Sequence, residues 1–174
     1  MKKIVHWQIG GFVFSVLLGV FFHFLFDLTN ECIVVAFVAP VNESIGAHIK
    51  LVFFPMFLYA LFEYSFLETE YEQFWCIKWK GISIGMILIP AIYYTYTGII
   101  GKSVDWFNIL SFVGVTGVVY FIETKMFLKN KSCRISSEYA FVMLWIVGII
   151  FWFFTFYPPN LPFFQDPISK IYGF

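Results

Sequence analysis

QIGGFVFSVLLGVFFHFLFDL, residues 8–28, is the stretch that decides the fold of this chain. It is an almost unbroken apolar run of about twenty residues, which is the length that an α-helix needs to cross the hydrocarbon of a bilayer. A secretory signal has a shorter apolar core of roughly 7–15 residues. We therefore expect a retained spanning helix that also acts as a signal anchor behind Lys2 and Lys3.

The composition of the whole chain also indicates a protein that is embedded in a lipid bilayer. Of the 174 residues, 60% are hydrophobic and 24% aromatic, but only 13% are charged. Soluble domains carry about 25% charged residues, so this chain has too few to cover a surface that faces water. The expected partner is the lipid bilayer. The net charge is zero and the basic residues form no dense patch, which argues against nucleic acid as a partner.

Four further apolar segments follow the first one. Each is long enough to cross a membrane as a helix, and Pro158-Pro159 ends the last one because proline cannot continue a helix. The sequence therefore predicts an all-α, polytopic membrane helix bundle that forms a single transmembrane domain over residues 1–174. The five predicted spans are residues 8–28, 44–67, 77–97, 106–127 and 138–157, followed by a tail at residues 158–174.

The lysine and arginine residues predict the orientation of the bundle. Cytoplasmic loops of membrane proteins carry an excess of these residues. With the N-terminus inside, only Lys50, Lys102 and Lys170 fall on the outer side. We therefore expect a multi-pass protein of the cell membrane with its N-terminus in and its C-terminus out. The predicted cytoplasmic residues are Lys2, Lys3, Lys78, Lys80, Lys125, Lys129, Lys131 and Arg134.

The three cysteines lie far apart in the sequence and show no C-x-x-C spacing, so a thiolate metal site has no support. In the predicted orientation only Cys32 lies on the oxidising side of the membrane, whereas Cys76 and Cys133 lie on the reducing side. Thiols in a reducing compartment stay reduced. We therefore do not expect an internal disulfide.

Polar residues cluster at the predicted outer ends of the first two spans. His23 and Asp27 are four residues apart and share one face of the first helix. Residues 42–50 add an amide, a carboxylate, a hydroxyl, an imidazole and an ammonium group. Ionisable groups at the edge of the hydrocarbon are costly and commonly mark a functional site. The predicted ligand-binding residues are His23, Asp27, Asn42, Glu43, Ser44, His48 and Lys50.

Part of this cluster has the chemistry of a metal site. Imidazole nitrogen and carboxylate oxygen bind zinc and other divalent ions, so His23, Asp27 and His48 are candidate metal ligands. Glu43 points about 140° away from His48 on an ideal helix, and an unwound first turn would bring the two together. Three interpretations stay open: a divalent metal site, a proton or substrate site without metal, or ordinary capping and packing of the helix start.

A second, inner polar cluster is predicted toward the opposite helix ends. Glu63 lies about 22 Å beyond His48 along the helix, and Glu123 reaches a similar depth on the fourth span. The simple interpretation is an ion pair of Glu63 with Lys125. Another such pair would join Glu123 to Lys78. The alternative is a proton relay from these carboxylates to the outer cluster, which would imply transport.

Two further segments belong to the predicted outer side. Tyr93, Tyr94 and Tyr96 at the end of the third span either line a pocket or form an interfacial aromatic belt. The tail at residues 158–174 contains four prolines and is too short and broken to span a membrane. We expect it to fold back over the outer face, with Asp166 near His48.

Two motifs carry a resemblance to a known family. PVNESIGAHIKLVFFP at residues 40–55 and FTFYPPNLPFFQDP at residues 154–167 resemble segments of a group of small bacterial integral membrane proteins of unknown function. The resemblance implies a five-helix membrane protein and no known activity. That group has an aromatic and then an acidic residue just before the histidine, where this chain has Gly46 and Ala47. An acidic ligand adjacent to His48 is therefore absent here.

Three classes of function remain open on the sequence. The first, which we favour, is binding or transport of a small molecule or ion at the outward-facing polar site. The five spans show no inverted repeat of the kind that many transporters have, and a homodimer would supply the missing symmetry. The second is a membrane-embedded enzyme at the outer interface, metal-dependent or not, although no G-x-S-x-G or H-E-x-x-H motif supports it. The third is a non-catalytic accessory subunit.

Overall fold

A computed structural model describes residues 2–129 and 133–174 of the chain. Lys131, one of the predicted cytoplasmic residues, lies outside the described residues. The described part contains helices and turns but no β-strand, and Gln165 and Tyr172 form an isolated bridge in the tail. The elements in chain order are α1 (Lys2–Leu28), a 3-10 turn (Val35–Phe37), α2 (Ile45–His48), α3 (Lys50–Leu67), α4 (Phe74–Ile100), α5 (Asp105–Leu128), α6 (Ser137–Phe156) and a second 3-10 turn (Pro162–Phe164).

Five helical segments in the described residues are long and apolar enough to cross a membrane, which confirms the predicted number. They are α1, the combined α2–α3 segment, α4, α5 and α6. Large apolar side chains such as Leu17, Ile87 and Ile146 point outward from these helices. The helices are slightly longer than most of the predicted spans because an apolar run marks only the part of a helix that lies in hydrocarbon.

The helices alternate in direction, so the bundle has two ends. At the near end, where α1 begins and α3 ends, Lys3 pairs with Glu70. At the far end, where α1 ends and α2 begins, the ring centroids of His23 and His48 lie 5.2 Å apart. The residues that the sequence assigned to the outer polar cluster and to the inner one thus lie at opposite ends of the fold.

The α2–α3 segment is the central one of the bundle. Of its most apolar window 78% is buried, against 22–28% for the other four segments. The small residues of α1 let it approach this core closely: a Cβ on Gly11 would lie 2.5 Å from both Tyr59 and Tyr120. Gly11 therefore lies on the face of α1 that packs against the bundle interior, as small residues at helix–helix contacts do.

Proline at position 55 does not end the central segment. α3 runs through Pro55, and the segment is interrupted instead at Ile49, between α2 and α3. Proline lacks the N–H that would bond the carbonyl oxygen four residues earlier, at Leu51. Ile49 lies outside that turn: it keeps helical dihedral angles (φ −60°, ψ −27°), and its N–H donates to the Ile45 carbonyl oxygen (3.1 Å). The segment is therefore nearly continuous from α2 to α3.

The prediction that the chain has no internal disulfide is wrong. Cys76 and Cys133 are bonded, with their Cα atoms 6.4 Å apart although 57 residues separate them in the sequence. Disulfides persist in oxidising compartments, so this bond disagrees with the predicted cytoplasmic position of Cys76 and Cys133. In the fold α4 and α6 both begin at the near end, and the Trp75 N–H donates a hydrogen bond to Ser137 Oγ beside the disulfide (3.1 Å). Cys32 is free and exposed.

The tail folds back over the far end, which confirms its predicted course. Its Gly173 carbonyl accepts a hydrogen bond from Asn42 Nδ2 (3.0 Å), and its Asp166 carboxylate accepts one from the Glu43 N–H (3.2 Å). Phe164 packs against Gly46 so closely that a Cβ there would lie 2.6 Å from the ring. The tail thus forms a cover over the start of α2.

Candidate functional site

The start of α2 sets the position of Glu43. Ser44 is the N-cap of α2, and its Oγ accepts a hydrogen bond from the Ala47 N–H (3.2 Å). Glu43 precedes this cap, so its backbone is not helical and the 140° separation of an ideal helix does not apply. Its Oε2 lies 3.3 Å from His48 Nε2. The unwound arrangement that the sequence left open is therefore the one that the fold adopts.

The hydrogen bond made by His48 Nδ1 determines whether Nε2 of the same ring carries a proton or a lone pair. Nδ1 lies 2.9 Å from the Ser44 carbonyl oxygen. A carbonyl can only accept, so Nδ1 carries the proton and a neutral ring has its lone pair on Nε2. That lone pair faces the Glu43 carboxylate, and two acceptors at 3.3 Å repel each other unless a cation lies between or beside them. The pair is arranged for a proton or a metal ion.

His23 of α1 completes the group. Its Nδ1 is buried and has no hydrogen-bond partner among the described residues. One ligand atom from each of His23, Glu43 and His48 lies within 4.8 Å of the other two. We call these three residues the His–Glu–His group. Asp27, one turn further along α1, is exposed and lies outside the group.

The donor set of the His–Glu–His group fits a divalent transition metal. Zinc takes imidazole nitrogen and carboxylate oxygen at about 2.0–2.2 Å, which places tetrahedral ligand atoms about 3.4 Å apart. The Glu43–His48 distance of 3.3 Å already has this value. The other distances between ligand atoms are at most 4.8 Å, so a bound ion would need the three side chains to move closer together. Three protein ligands leave a coordination position open, as in catalytic zinc sites.

Two adjoining cavities of about 210 and 440 Å³ lie next to this group. Glu43 and His48 line both, and His23 lines the larger one. The cavities are bounded by α1, α2, the start of α3, α4, α5 and the tail. The other lining residues are Gly19, Val20, Phe24, Ile45, Leu51, Ile89, Tyr93, Tyr96, Ser103, Asp105, Asn108, Ile109, Ser111, Phe112, Pro167 and Ile168.

A polar wall faces the His–Glu–His group from α5. The Tyr96 hydroxyl donates a hydrogen bond to Asn108 Oδ1, and Asn108 Nδ2 donates one to Ser103 Oγ (3.0 Å). Asp105 lines both cavities and Ser111 lines the smaller one. The sequence indicated only Tyr96 as a possible pocket residue and did not indicate the others. The spacing could have revealed them, because the polar residues at positions 105, 108 and 111 are three apart and share one face of a helix.

The remaining predicted ligand-binding residues serve the local fold. The Lys50 ammonium is buried and donates to the carbonyl oxygens of Ala36 (2.8 Å) and Ala39 (3.2 Å). Asn42 Oδ1 accepts from the Ser44 N–H (3.0 Å) in a local turn. Both residues hold the connection between α1 and α2 in place, while the chemistry of the cavity lies with the His–Glu–His group.

Asp166 anchors the tail beside the cavities. Its carboxylate accepts hydrogen bonds from the backbone N–H groups of Glu43 (3.2 Å), Ile168 (2.6 Å) and Ser169 (3.0 Å). Burial by itself raises the pKa of Asp166, but these hydrogen bonds stabilise the ionised form more strongly and bring the pKa below its ordinary value. An ionised Asp166 therefore holds Pro167 and Ile168 over the cavities.

The whole chain, residues 1–174, matches the profile of a family of unknown function, DUF6512. The chain belongs to this family. No curated protein and no solved structure matches this DUF6512 protein. The family membership agrees with the resemblance seen in the sequence, and it supplies no activity or site residues. The chemistry of the site must therefore be argued from its own geometry.

The inner polar cluster of this DUF6512 protein is an ion-pair network at the near end. Lys78 Nζ lies 2.6 Å from Glu63 Oε2 and 2.7 Å from Glu123 Oε2, and all three side chains are fully buried. Gln8 Nε2 donates a hydrogen bond to Glu63 Oε1 (2.7 Å). We call Glu63, Lys78 and Glu123 the buried triad. It joins α3, α4 and α5, and Gln8 connects it to α1.

One of the two predicted ion pairs is confirmed and the other is wrong. Glu123 pairs with Lys78 as expected, and Lys78 also takes the place that the sequence gave to Lys125 as partner of Glu63. The Lys125 ammonium lies over the ring of Phe121, 4.1 Å from its centroid. A single lysine serves both carboxylates because α4 packs between α3 and α5 at this depth.

Proposed function

We propose that this DUF6512 protein is an integral membrane protein that binds a divalent transition-metal ion, with zinc as the first candidate, through His23, Glu43 and His48. The observation that carries the proposal is the convergence of three ligand atoms within 4.8 Å on the edge of a cavity. A metal ion also resolves the contact between the lone pair of His48 Nε2 and the Glu43 carboxylate.

The surroundings of the group support binding of an ion from one side of the membrane. The basic residues favour an orientation with the far end outside the cell, whereas the Cys76–Cys133 disulfide at the near end favours the opposite orientation. The fixed Nδ1–H of His48 is the kind of outer contact that orients a metal-binding imidazole. All three residues line the larger cavity, so an ion held by them would be reachable from it. The same site would then support either ion handling or a metal-dependent reaction on a bound molecule.

A proton relay along the bundle has weaker support than a metal site. Glu63 lies about 22 Å from His48 along the helix. Both near-end carboxylates are already bound to Lys78. We therefore assign the buried triad a structural role.

The direct test is zinc binding by the detergent-purified protein after removal of metal with a chelator. We expect one zinc ion per chain by elemental analysis and titration calorimetry. His48→Ala and His23→Ala should each lose stoichiometric binding, because two ligands hold the ion far more weakly than three. His6→Ala provides the matched control, since His6 is the third histidine of the chain and lies near the start of α1 at the other end.

The result that would overturn the proposal is equally clear. If the wild-type protein binds no zinc, manganese, cobalt or nickel, the His–Glu–His group is not a metal site. Zinc binding that survives in both His48→Ala and His23→Ala would place the metal elsewhere in the chain. Gel filtration of each variant verifies that a loss of binding does not reflect unfolding.

A further inference from the structure

The larger cavity opens sideways, between α1 and α5. Val20, Phe24 and Ile109 line it and are at the same time 40%, 54% and 55% exposed. A residue that lines a cavity and also belongs to the outer surface lies at a mouth. Further toward the near end the two helices close, because Ser15 Oγ and the Tyr120 hydroxyl are hydrogen-bonded (2.8 Å). The gap is therefore confined to the far end.

The mouth lies at the depth where lipid head groups meet acyl chains. Val20 is eight residues from the end of α1, and Ile109 is four residues from the start of α5. At about 1.5 Å per residue these positions lie about 12 and 6 Å from the helix ends. Both helices are longer than the hydrocarbon is thick, about 30 Å. The mouth is thus within about 10 Å of the hydrocarbon boundary and faces lipid.

The charges inside the cavity select the head group of a ligand. With a divalent ion bound, Glu43 and Asp105 supply two formal negative charges against its two positive ones. None of the described lining residues is lysine or arginine. Two nearby ammonium groups bind backbone carbonyls instead, Lys50 those of Ala36 and Ala39 and Lys170 that of Pro167. An anionic phosphate group would therefore meet no lysine or arginine in the cavity. The proposed divalent ion would be its one cationic partner, and the charges of Glu43 and Asp105 already balance that ion.

We propose that the ligand of this site is a membrane-soluble amphiphile with an uncharged, oxygen-bearing head group, which enters sideways between α1 and α5. The inference rests on the proposed metal site and names the ligand of that site. An ester carbonyl or hydroxyl oxygen takes the open coordination position. The polar wall of Asn108 and Ser111 hydrogen-bonds the rest of the head group, while the chains stay in the bilayer beside Val20 and Ile109.

The test uses the cobalt-loaded protein in detergent, because the visible absorption of Co²⁺ changes when a new ligand enters its coordination shell. Three compounds are compared at equal concentration: a short-chain diacylglycerol, a phosphatidic acid with the same chains, and glycerol. We expect the spectrum to change with the diacylglycerol and to stay unchanged with the other two. Phosphatidic acid tests the charge of the head group, and glycerol tests the need for acyl chains.

Two neighbouring tryptophan variants test the entry route. Ile109→Trp fills the mouth and should abolish the response to diacylglycerol while cobalt binding stays intact. Leu110→Trp is the matched control, because Leu110 is next to it on α5, is 58% exposed, and does not line either cavity. It should respond like the wild type. An equal response in both variants would overturn sideways entry.

The remaining outcomes separate this inference from the proposed function. Absence of cobalt binding overturns both. Cobalt binding without any spectral response to the three compounds overturns the amphiphile alone and leaves the metal site standing. A response to phosphatidic acid as large as that to diacylglycerol overturns the uncharged head group. A response to glycerol alone would assign the cavity to small water-soluble molecules.

Discussion

The two ends of the bundle solve the same physical problem in different ways. Ionisable side chains that leave water are costly unless their charges are compensated. At the near end all three side chains of the buried triad are out of water, and Lys78 lies within 2.7 Å of both carboxylates, which leaves one formal negative charge. At the far end Glu43 is exposed, His23 and His48 are partly buried, and two acceptors face each other beside a cavity. The comparison suggests that a fully buried ion-pair network marks structure and that partly exposed acceptors without a cation mark a binding site.

The largest expected effect comes from breaking the buried triad. Lys78→Met keeps the side-chain length but leaves two buried carboxylates without their cation. We expect the free energy of unfolding to fall by about 3–5 kcal/mol, because uncompensated buried charge is strongly destabilising. Thermal unfolding in detergent measures this effect. Lys80→Met, on the same helix and only partly buried, serves as the control and should change little.

Thermal unfolding in detergent can also test the comparison between the near end and the far end. His48→Ala removes a group that the fold does not need for stability, so we expect its loss to stay below about 1 kcal/mol in the absence of metal. Should His48→Ala destabilise the protein as much as Lys78→Met, the far end would be as structural as the near end. The distinction between the two ends would then fail.

A smaller effect is expected from adding one methyl group beside the buried triad. A Cβ at Gly81 would lie 2.1 Å from Glu123 Oε1, so Gly81→Ala must displace the carboxylate from Lys78. We expect a loss of about 1–3 kcal/mol, as for other overpacked cores. Thermal unfolding again provides the measurement. The matched control is Gly114→Ala, where the new methyl group meets nothing within 4 Å and should be neutral or slightly stabilising.

The smallest effect concerns the tail at the far end. Asp166 has a pKa below its ordinary value, so its ionised form stabilises the fold at pH values above the unfolded pKa of about 3.9. That contribution is lost as the pH falls through the lower, folded value. We expect Asp166→Asn to cost about 1 kcal/mol at neutral pH, since hydrogen bonds to a charged acceptor are stronger than those to a neutral one.

Thermal unfolding of wild type and Asp166→Asn as a function of pH measures this linkage. The difference between the two should be constant near neutral pH and shrink in acid, below about pH 4. Asp27→Asn is the control, since Asp27 is exposed at the same end and should show no such dependence. A difference between wild type and Asp166→Asn that grows in acid would contradict the assigned role of Asp166.

The helices could be predicted because spanning length is a local property of the sequence. An apolar run of about twenty residues needs no knowledge of its neighbours. The ends of the helices could be predicted for the same reason: α6 ends before Pro158, within two residues of the predicted position. The start of α1 was less accurate, since its polar first turn extends beyond the apolar run to Lys2.

Pairings between distant segments could not be predicted in the same way. Lys78 serves both Glu63 and Glu123 only because three helices meet at one depth. The bond between Cys76 and Cys133 likewise depends on two helix starts lying side by side. Neither residue spacing nor the predicted compartment contains that information.

The candidate site was predicted in part. The sequence offered His23, Asp27, Glu43 and His48 as one possible group, with an unwound start of the second span as the condition for Glu43 to approach His48. Asp27 lies outside the group that the fold brings together. Lys50 was included because of its position in the sequence, yet its ammonium group points to the carbonyls of a neighbouring turn. Which side of a helix a long side chain takes depends on where acceptors lie in three dimensions.

Pro55 has a consequence for the seam between α1 and α3. Because proline has no N–H, the Leu51 carbonyl oxygen receives no hydrogen bond from position 55. That oxygen lies against α1, where a Cβ built on Gly19 would be 3.0 Å from it. Gly19 and Leu51 both line the larger cavity. The seam beside the cavity thus holds a backbone acceptor without its helical donor, which no change of pH can titrate and which a residue with an N–H in place of Pro55 would satisfy.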